Sequence, residues 1–359
     1  MLSFNETLDF HVQPASYPFF KKQQPPYTMA VSIEDIKKLR NMTGAGLSDC
    51  KNALNEAEGN LEAAIELIRK RGQAIAAKRS DREAAEGCVL VKVDGNFGVI
   101  CALKCETDFV AKNADFVALA NEIIDAALAA RCTSIEEVKN LTLGGRSVAE
   151  RITELSGVTG EKMELDGYFT VTGESIAAYN HQNNNVLCTL VAFNKPIEDA
   201  TVGKNVAMQV ASAAPIAVNA DAVPQETKDN EFAVAVEKTK VEQVQKAVEA
   251  AIKKAGFNAY IAESEEHINE GIMKGRITEE EAQAIRDLKE KTAAEKAASL
   301  NEGMIQNIAK GRLNKFFKEV CLVEQEYIWD KALTVEQYLN SVEKGLTVTD
   351  FKRFTLRAE

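Results

Sequence analysis

The sequence predicts an α+β protein, and three observations carry the prediction. After Ser32, apolar residues recur at three- and four-residue spacing through three short stretches. Two β-rich runs, each followed by an amphipathic stretch, echo one another: "VICAL" at 99–103 matches "VLCTL" at 186–190. Beyond Pro224 the chain has no proline and carries long charged stretches with narrow apolar seams. The expected order is a three-helix N-terminal stretch, two related β-hairpin/helix core subdomains, an inserted antiparallel helical hairpin and a C-terminal module. The expected bounds are 1–28 for a disordered tail or upstream-start extension, 29–80 for the three helices with a basic linker, 81–165 and 166–224 for the two core subdomains, 225–312 for the helical hairpin and 313–359 for the C-terminal module.

Each element has its own warrant. Residues 1–28 hold four of the seven prolines and show no amphipathic period, and Met29 opens a cleaner beginning. They lack the basic-then-apolar layout of a signal peptide. Ser32 and Asp35 have capping-box spacing, and Ile33, Ile36 and Leu39 fall on one helical face. "TGAG" (43–46) is a tight turn, because two glycines allow backbone angles that side chains forbid. Leu47, Cys50 and Leu54 mark a second helix; Gly59 stops it and Asn60 caps a third bearing Leu61, Ala64, Ile65 and Ile68.

The basic run "RKRGQAIAAKR" (69–79) reads as a solvated helix and linker. In "GCVLVKVDGNFGVICALKC" (87–105), Asp94-Gly95 between two β-rich runs signals a hairpin. Phe116, Leu119, Ala120, Ile123 and Ile124 then mark a buried helical face, and a charged helical segment over roughly 114–165 is expected to finish the first subdomain. Val241, Val244, Val248 and Ile252 stripe the first limb of the helical hairpin; Thr278 and Glu281 cap the second. A capped helix at Thr334 to Gln337 and a closing strand "GLTVTDFKRFTL" end the chain.

Composition narrows the function classes. The 359 residues carry 54 acidic and 43 basic side chains, a net charge of −11. Such a balance disfavours binding to a phosphate backbone and fits partners that are proteins. No apolar run approaches the ~20 residues of a membrane-crossing helix, so no membrane role is expected. The seven cysteines contain no CxxC pair and sit mostly in apolar runs, as small core residues in a reducing compartment; a redox or metal pair of Cys101 and Cys105 is the lesser alternative. There is no GxxxxGK[ST] loop, no G-x-S-x-G elbow and no HExxH, so the chain reads as a binding protein, not an enzyme, with no cofactor, no metal and no direct nucleotide binding of its own. One junction stands out. "CETDFVAKNADF" (105–116) places Asp108 and Phe109 side by side where a connection is normally small and polar. Taken alone, Phe109 reads as a core aromatic at a helix entrance.

The runs "IKKLRNMTGAGLSDCKNAL" (36–54) and "VDGNFGVICALKCETDFVAKNADF" (93–116) resemble the elongation factor Ts family, and the resemblance extends in order over roughly residues 29–359. It implies a ubiquitin-associated-like first domain and a guanine-nucleotide exchange factor of translation elongation, cytoplasmic, whose partner is elongation factor Tu. A ubiquitin-associated-like adaptor without exchange activity is the alternative. By that resemblance Thr107, Asp108, Phe109 and Val110 push into the partner near its magnesium and phosphate site, while Lys51, Gly160 and His181 supply further contacts. This chain departs from the family's pattern in having residues 1–28, a longer helical hairpin, Thr159 where isoleucine is usual and Gln209 where histidine is frequent.

Overall fold

A computed structural model describes residues 31–357; the tail expected over 1–28 lies outside the described residues. The chain is α+β and divides into two units, residues 1–74 and 75–359.

In the first unit, helices Ile33–Thr43 (α1), Leu47–Glu56 (α2) and Leu61–Ala77 (α3) follow in sequence. Ser32 caps α1 by accepting the Asp35 amide at 3.0 Å, and Asn60 caps α3 by accepting the Ala63 amide at 3.1 Å. Of the two turn glycines only Gly44 uses the left-handed region, at φ 70°; Gly46 stands at φ −60° as the cap of α2. Leu39, Ala45, Cys50, Ala53, Leu54 and Ala64 form the unit's small core.

The second unit runs through strands Glu86–Asp94 (β1) and Phe97–Cys105 (β2), then helices Asp108–Ala111 (α4), Ala114–Ala129 (α5) and Ile135–Asn140 (α6). A two-strand ribbon, Thr142–Leu143 (β3) with Arg146–Ser147 (β4), precedes helix Val148–Thr159 (α7) and strand Met163–Thr172 (β5). Strands Ser175–Asn180 (β6) and Leu187–Phe193 (β7) and helix Ala200–Ala213 (α8) follow. The long helix Gln225–Lys254 (α9) leads to Ala259–Glu263 (α10), Glu265–Met273 (α11), Glu279–Ala298 (α12) and Glu302–Val320 (α13). Strands Glu326–Tyr327 (β8) and Asp330–Thr334 (β9), helix Val335–Val342 (α14) and strand Val348–Thr355 (β10) close the chain.

Two antiparallel sheets, β1-β2-β5 and β10-β7-β6, form the centre of this unit. Each echoed run sits on the middle strand: "VICAL" on β2, and "VLCTL" on β7 from its second residue. The sheets meet face to face through Val89, Ile100, Ala102 and Val171 on one and Cys188, Leu190 and Ala192 on the other. The approach is close: a Cβ on Gly167 of β5 would stand 2.8 Å from the Phe354 ring of β10. Phe116, Leu119, Ile123 and Ile124 of α5 cover the outer face of the first sheet, and Val202, Val206 and Val210 of α8 cover that of the second.

Two expectations need correction. The charged helical segment foreseen over 114–165 holds three helices and a ribbon, and it ends in β5, which pairs with β2 from Cys105↔Met163 to Phe97↔Thr172. The boundary placed between 165 and 166 therefore cuts a strand. "MELDGYFTVT" alternates buried and exposed positions, and its interleaved acids mimic a charged helix. The helical hairpin expected over 225–312 is not two limbs joined by a simple connection. Helices α10 and α11 and the helix ends around them bury Ile252, Ile261, Ala262, Ile268, Ala282 and Ile285 together. The return limb is itself interrupted between Ala298 and Glu302, and α13 continues to Val320, past the expected end of the hairpin.

Candidate functional site

The site is built where β2 ends. Cys105, the last residue of β2, is buried opposite Glu86 of β1. The chain then turns into α4, a single helical turn, which is too short to persist by its own hydrogen bonds. Thr107 caps it, accepting the Val110 amide at 3.4 Å on its hydroxyl oxygen. The same hydroxyl donates to Glu161 Oε1 at 2.6 Å, and the Thr107 amide donates to Glu161 Oε2 at 3.1 Å. In return the Lys162 amide donates to Glu106 Oε1 at 2.6 Å. Arg82 meets the other Glu106 oxygen at 3.0 Å, and Arg79 lies 3.7 Å from the first. The Lys162 amide, helped by these arginines, holds the Glu106 carboxyl below the ordinary glutamate value.

On this root the four motif residues divide by exposure. Val110 and the following Ala111 pack against the core beneath α5. Asp108 is half-exposed and accepts from Lys112 Nζ at 2.7 Å, a hydrogen bond that lowers its carboxyl below the usual range. Phe109 is 84% exposed. The core-aromatic reading of Phe109 is excluded, because a phenyl ring in water forgoes the roughly 1.5–3 kcal/mol that burial returns.

Of the other expected residues, Gly160 and His181 belong to the same unit as this root. Gly160 ends α7 at φ 72°, next to the Glu161-Lys162 pair that grips α4; a Cβ there would stand 3.6 Å from the Arg79 guanidinium. His181 opens the turn between β6 and β7, its Nδ1 3.1 Å from the Tyr179 hydroxyl. That turn is tied to β1 through Asn185, whose carbonyl accepts the Val89 amide at 2.7 Å. Val89 is three residues from Glu86, the partner of Cys105, so the turn is anchored toward the same end of β1 as α4. Lys51 is exposed on α2, in the first unit.

Gln209 has a structural task. It is 1% exposed, accepts the Ile328 amide at 2.9 Å and donates to Gln325 Oε1 and the Glu326 carbonyl at 3.2 Å, pinning the C-terminal module to α8. Cys101 and Cys105 are buried, and burial pushes both thiols up to about 12, opposite to the shift a reactive thiolate needs. Among the described residues no group of three or more His, Cys, Asp or Glu is placed to hold a metal ion. Sequence reasoning missed Glu106 and Glu161; nothing in one dimension pairs "ET" with "GEK" across 54 residues.

The chain matches the profile of a family described as Elongation factor TS over residues 106–358, a span that contains the exposed Phe109 and both carboxylates of its root. It is 59% identical over 331 residues to a protein named Elongation factor Ts from Bacteroides fragilis, covering 92% of this chain and 100% of the relative. Identity is 57% over 331 residues to the protein of that name from Bacteroides thetaiotaomicron and 42% over 332 residues to that from Porphyromonas gingivalis, each again covering 92% of this chain and 100% of the relative. By a profile that spans most of the chain and relatives that span nearly all of it, this chain belongs to the elongation factor Ts family.

Proposed function

We propose that the chain is a guanine-nucleotide exchange factor of translation elongation, acting in the cytoplasm. It binds elongation factor Tu carrying GDP and promotes release of the nucleotide. The observation that carries the reading is Phe109: an 84% exposed aromatic on a one-turn helix whose N-terminal root is tied to the 160–162 turn by two backbone-amide bonds. Phe109 enters the partner beside the elements that hold magnesium and phosphate and displaces one of them. Asp108, released from Lys112, competes for groups that orient the metal. Magnesium bridges the phosphate to its protein, so disturbing its shell weakens nucleotide binding. No bond of the nucleotide is made or broken, and no cofactor of this chain is required.

Magnitude calls for a spread interface. A thousandfold faster release needs about 4 kcal/mol of differential binding. One buried phenyl supplies about 1.5–3 kcal/mol, and only that part which favours the nucleotide-free partner counts. Lys51, Gly160 and His181 are assigned the remaining contacts, with Thr107 and Val110 anchoring the motif. The test is stopped-flow release of a fluorescent GDP from elongation factor Tu with and without this protein. Release at the spontaneous rate in its presence rejects the reading.

A further inference from the structure

The root of α4 contains a crossed arrangement that the exchange reading does not by itself require. Two turns, 105–107 and 160–162, exchange carboxylates: Glu106 accepts the amide of Lys162, and Glu161 accepts the amide of Thr107. Bonds from a backbone amide to an ionised carboxylate are among the stronger hydrogen bonds available. Glu161 also accepts a hydrogen bond from the Thr107 hydroxyl at 2.6 Å, which sets the rotation of that hydroxyl and leaves its oxygen free to cap Val110. Glu161 is itself held to α7, since the buried Ser156 hydroxyl donates to its carbonyl at 2.5 Å. The chain from α7 to Phe109 therefore passes through Ser156, Glu161 and Thr107, with Glu106 and its arginines as the reciprocal tie.

We propose that Glu106 and Glu161 form a carboxylate clasp that positions Phe109 for nucleotide release, acting through Thr107 and not by touching the partner. The proposal rests on the exchange function above. Four residues cannot hold a helical turn unaided, and a wedge that rotates freely loses the orientation on which differential binding depends. The clasp supplies that orientation from positions set back from the exposed ring. Its signature is coupling: with the clasp open, deleting the ring matters less, because the ring was already misdirected.

The experiment uses the full chain with elongation factor Tu and four variants: Glu161→Ala, Glu161→Gln, Phe109→Ala and the double change Phe109→Ala/Glu161→Ala. At saturating factor, Glu161→Ala is expected to slow stimulated GDP release about tenfold. Glu161→Gln keeps an acceptor for the Thr107 amide and is expected to stay within about threefold of the parent. Removing the ring in the Glu161→Ala background is expected to cost less than half the fold-change it costs in the parent. Hydrogen exchange read by mass spectrometry is expected to quicken in peptides covering 105–112 of Glu161→Ala and to stay unchanged over 89–101.

Multiplicative effects in the double change, or unchanged exchange over 105–112, overturn the clasp. If Glu161→Ala does not fold, Glu106→Ala, which removes the reciprocal acceptor of the Lys162 amide, takes its place alone and with Phe109→Ala, and multiplicative effects or unchanged exchange over 105–112 overturn the proposal. If Phe109→Ala alone releases GDP at the parental rate, the wedge reading fails and the positioning role with it. That failure is recognisable because the 105–112 peptides still open in Glu161→Ala.

Discussion

Phe109 and Glu106 carry the sharpest consequences at the scale of single residues. Phe109→Ala removes a ring that touches little of its own protein, so its melting temperature should move by no more than a degree or two, whereas a core phenylalanine would cost about 3–5 kcal/mol. Stimulated GDP release should slow at least about tenfold, the equivalent of about 1.4 kcal/mol. Calorimetry beside stopped-flow release checks both; release at the parental rate from Phe109→Ala would sink the wedge role.

Glu106 yields a pH dependence. Its carboxyl is held below the unfolded glutamate value by the Lys162 amide first and by Arg82 and Arg79 second. A depressed folded value means the stabilisation is complete above about pH 4.3 and disappears as the pH falls through the lower folded value. The stability gap between the parent and Glu106→Gln, measured by urea unfolding, should be largest near neutrality and should close as the pH falls through the depressed folded value. A gap that widens on acidification would show that the ionised form is not the one being held.

At the scale of elements, the helical excursion from α9 to α13 is the least anchored part of the second unit. Of the 30 residues of α9 only Ala235, Thr239 and Ile252 are buried, and α12 buries only Ala282 and Ile285. Its amides should therefore exchange faster than those of β2, where eight of the nine residues are buried. Equal protection of α9 and β2 would mean that the helices share the cooperative unfolding of the sheets.

The same contrast explains which elements were legible in the sequence. β1, β2 and α5 announce themselves because apolar periodicity is uninterrupted and Asp94-Gly95 marks the turn. β5 stayed hidden because its alternation is interrupted: Glu164 and Asp166 alternate with buried Met163 and Leu165, but the register then shifts opposite Ala102 and Leu103, so no single period runs through the strand. The Thr107–Val110 motif was legible through a family resemblance, but the exposure of Phe109 was not: periodicity cannot say that a ring at a helix entrance has been turned outward. The clasp was out of reach for another reason. Glu106 and Glu161 meet only because β2 and β5 pair, and that pairing is a tertiary event.

For the molecule as a whole, the layered arrangement of the second unit (helix α5, two sheets, helix α8) depends on partners that are far apart in sequence. The first sheet draws its three strands from residues 86–172, whereas the second sets β10, residues 348–355, against β7, residues 187–193. Deleting residues 344–359 strips β7 of one neighbour and takes away the Phe354 ring that meets Gly167. The expected result is a loss of more than about 3 kcal/mol and melting in two steps, with the first sheet outlasting the second; circular dichroism with hydrogen exchange over 89–101 and 187–193 separates the two. A single unshifted transition would show that β10 is ornamental.

The placement of β10 also sets a schedule. As the chain emerges from the ribosome, the first sheet has all its strands soon after residue 172, while β7 must wait through more than 150 further residues for its second neighbour. During that interval an apolar strand edge stands open, the kind of surface that invites pairing with another nascent chain. A factor placed by its family in translation elongation is thus exposed to misassembly for as long as its own elongation lasts, and its yield should fall when translation is slowed between codons 193 and 348.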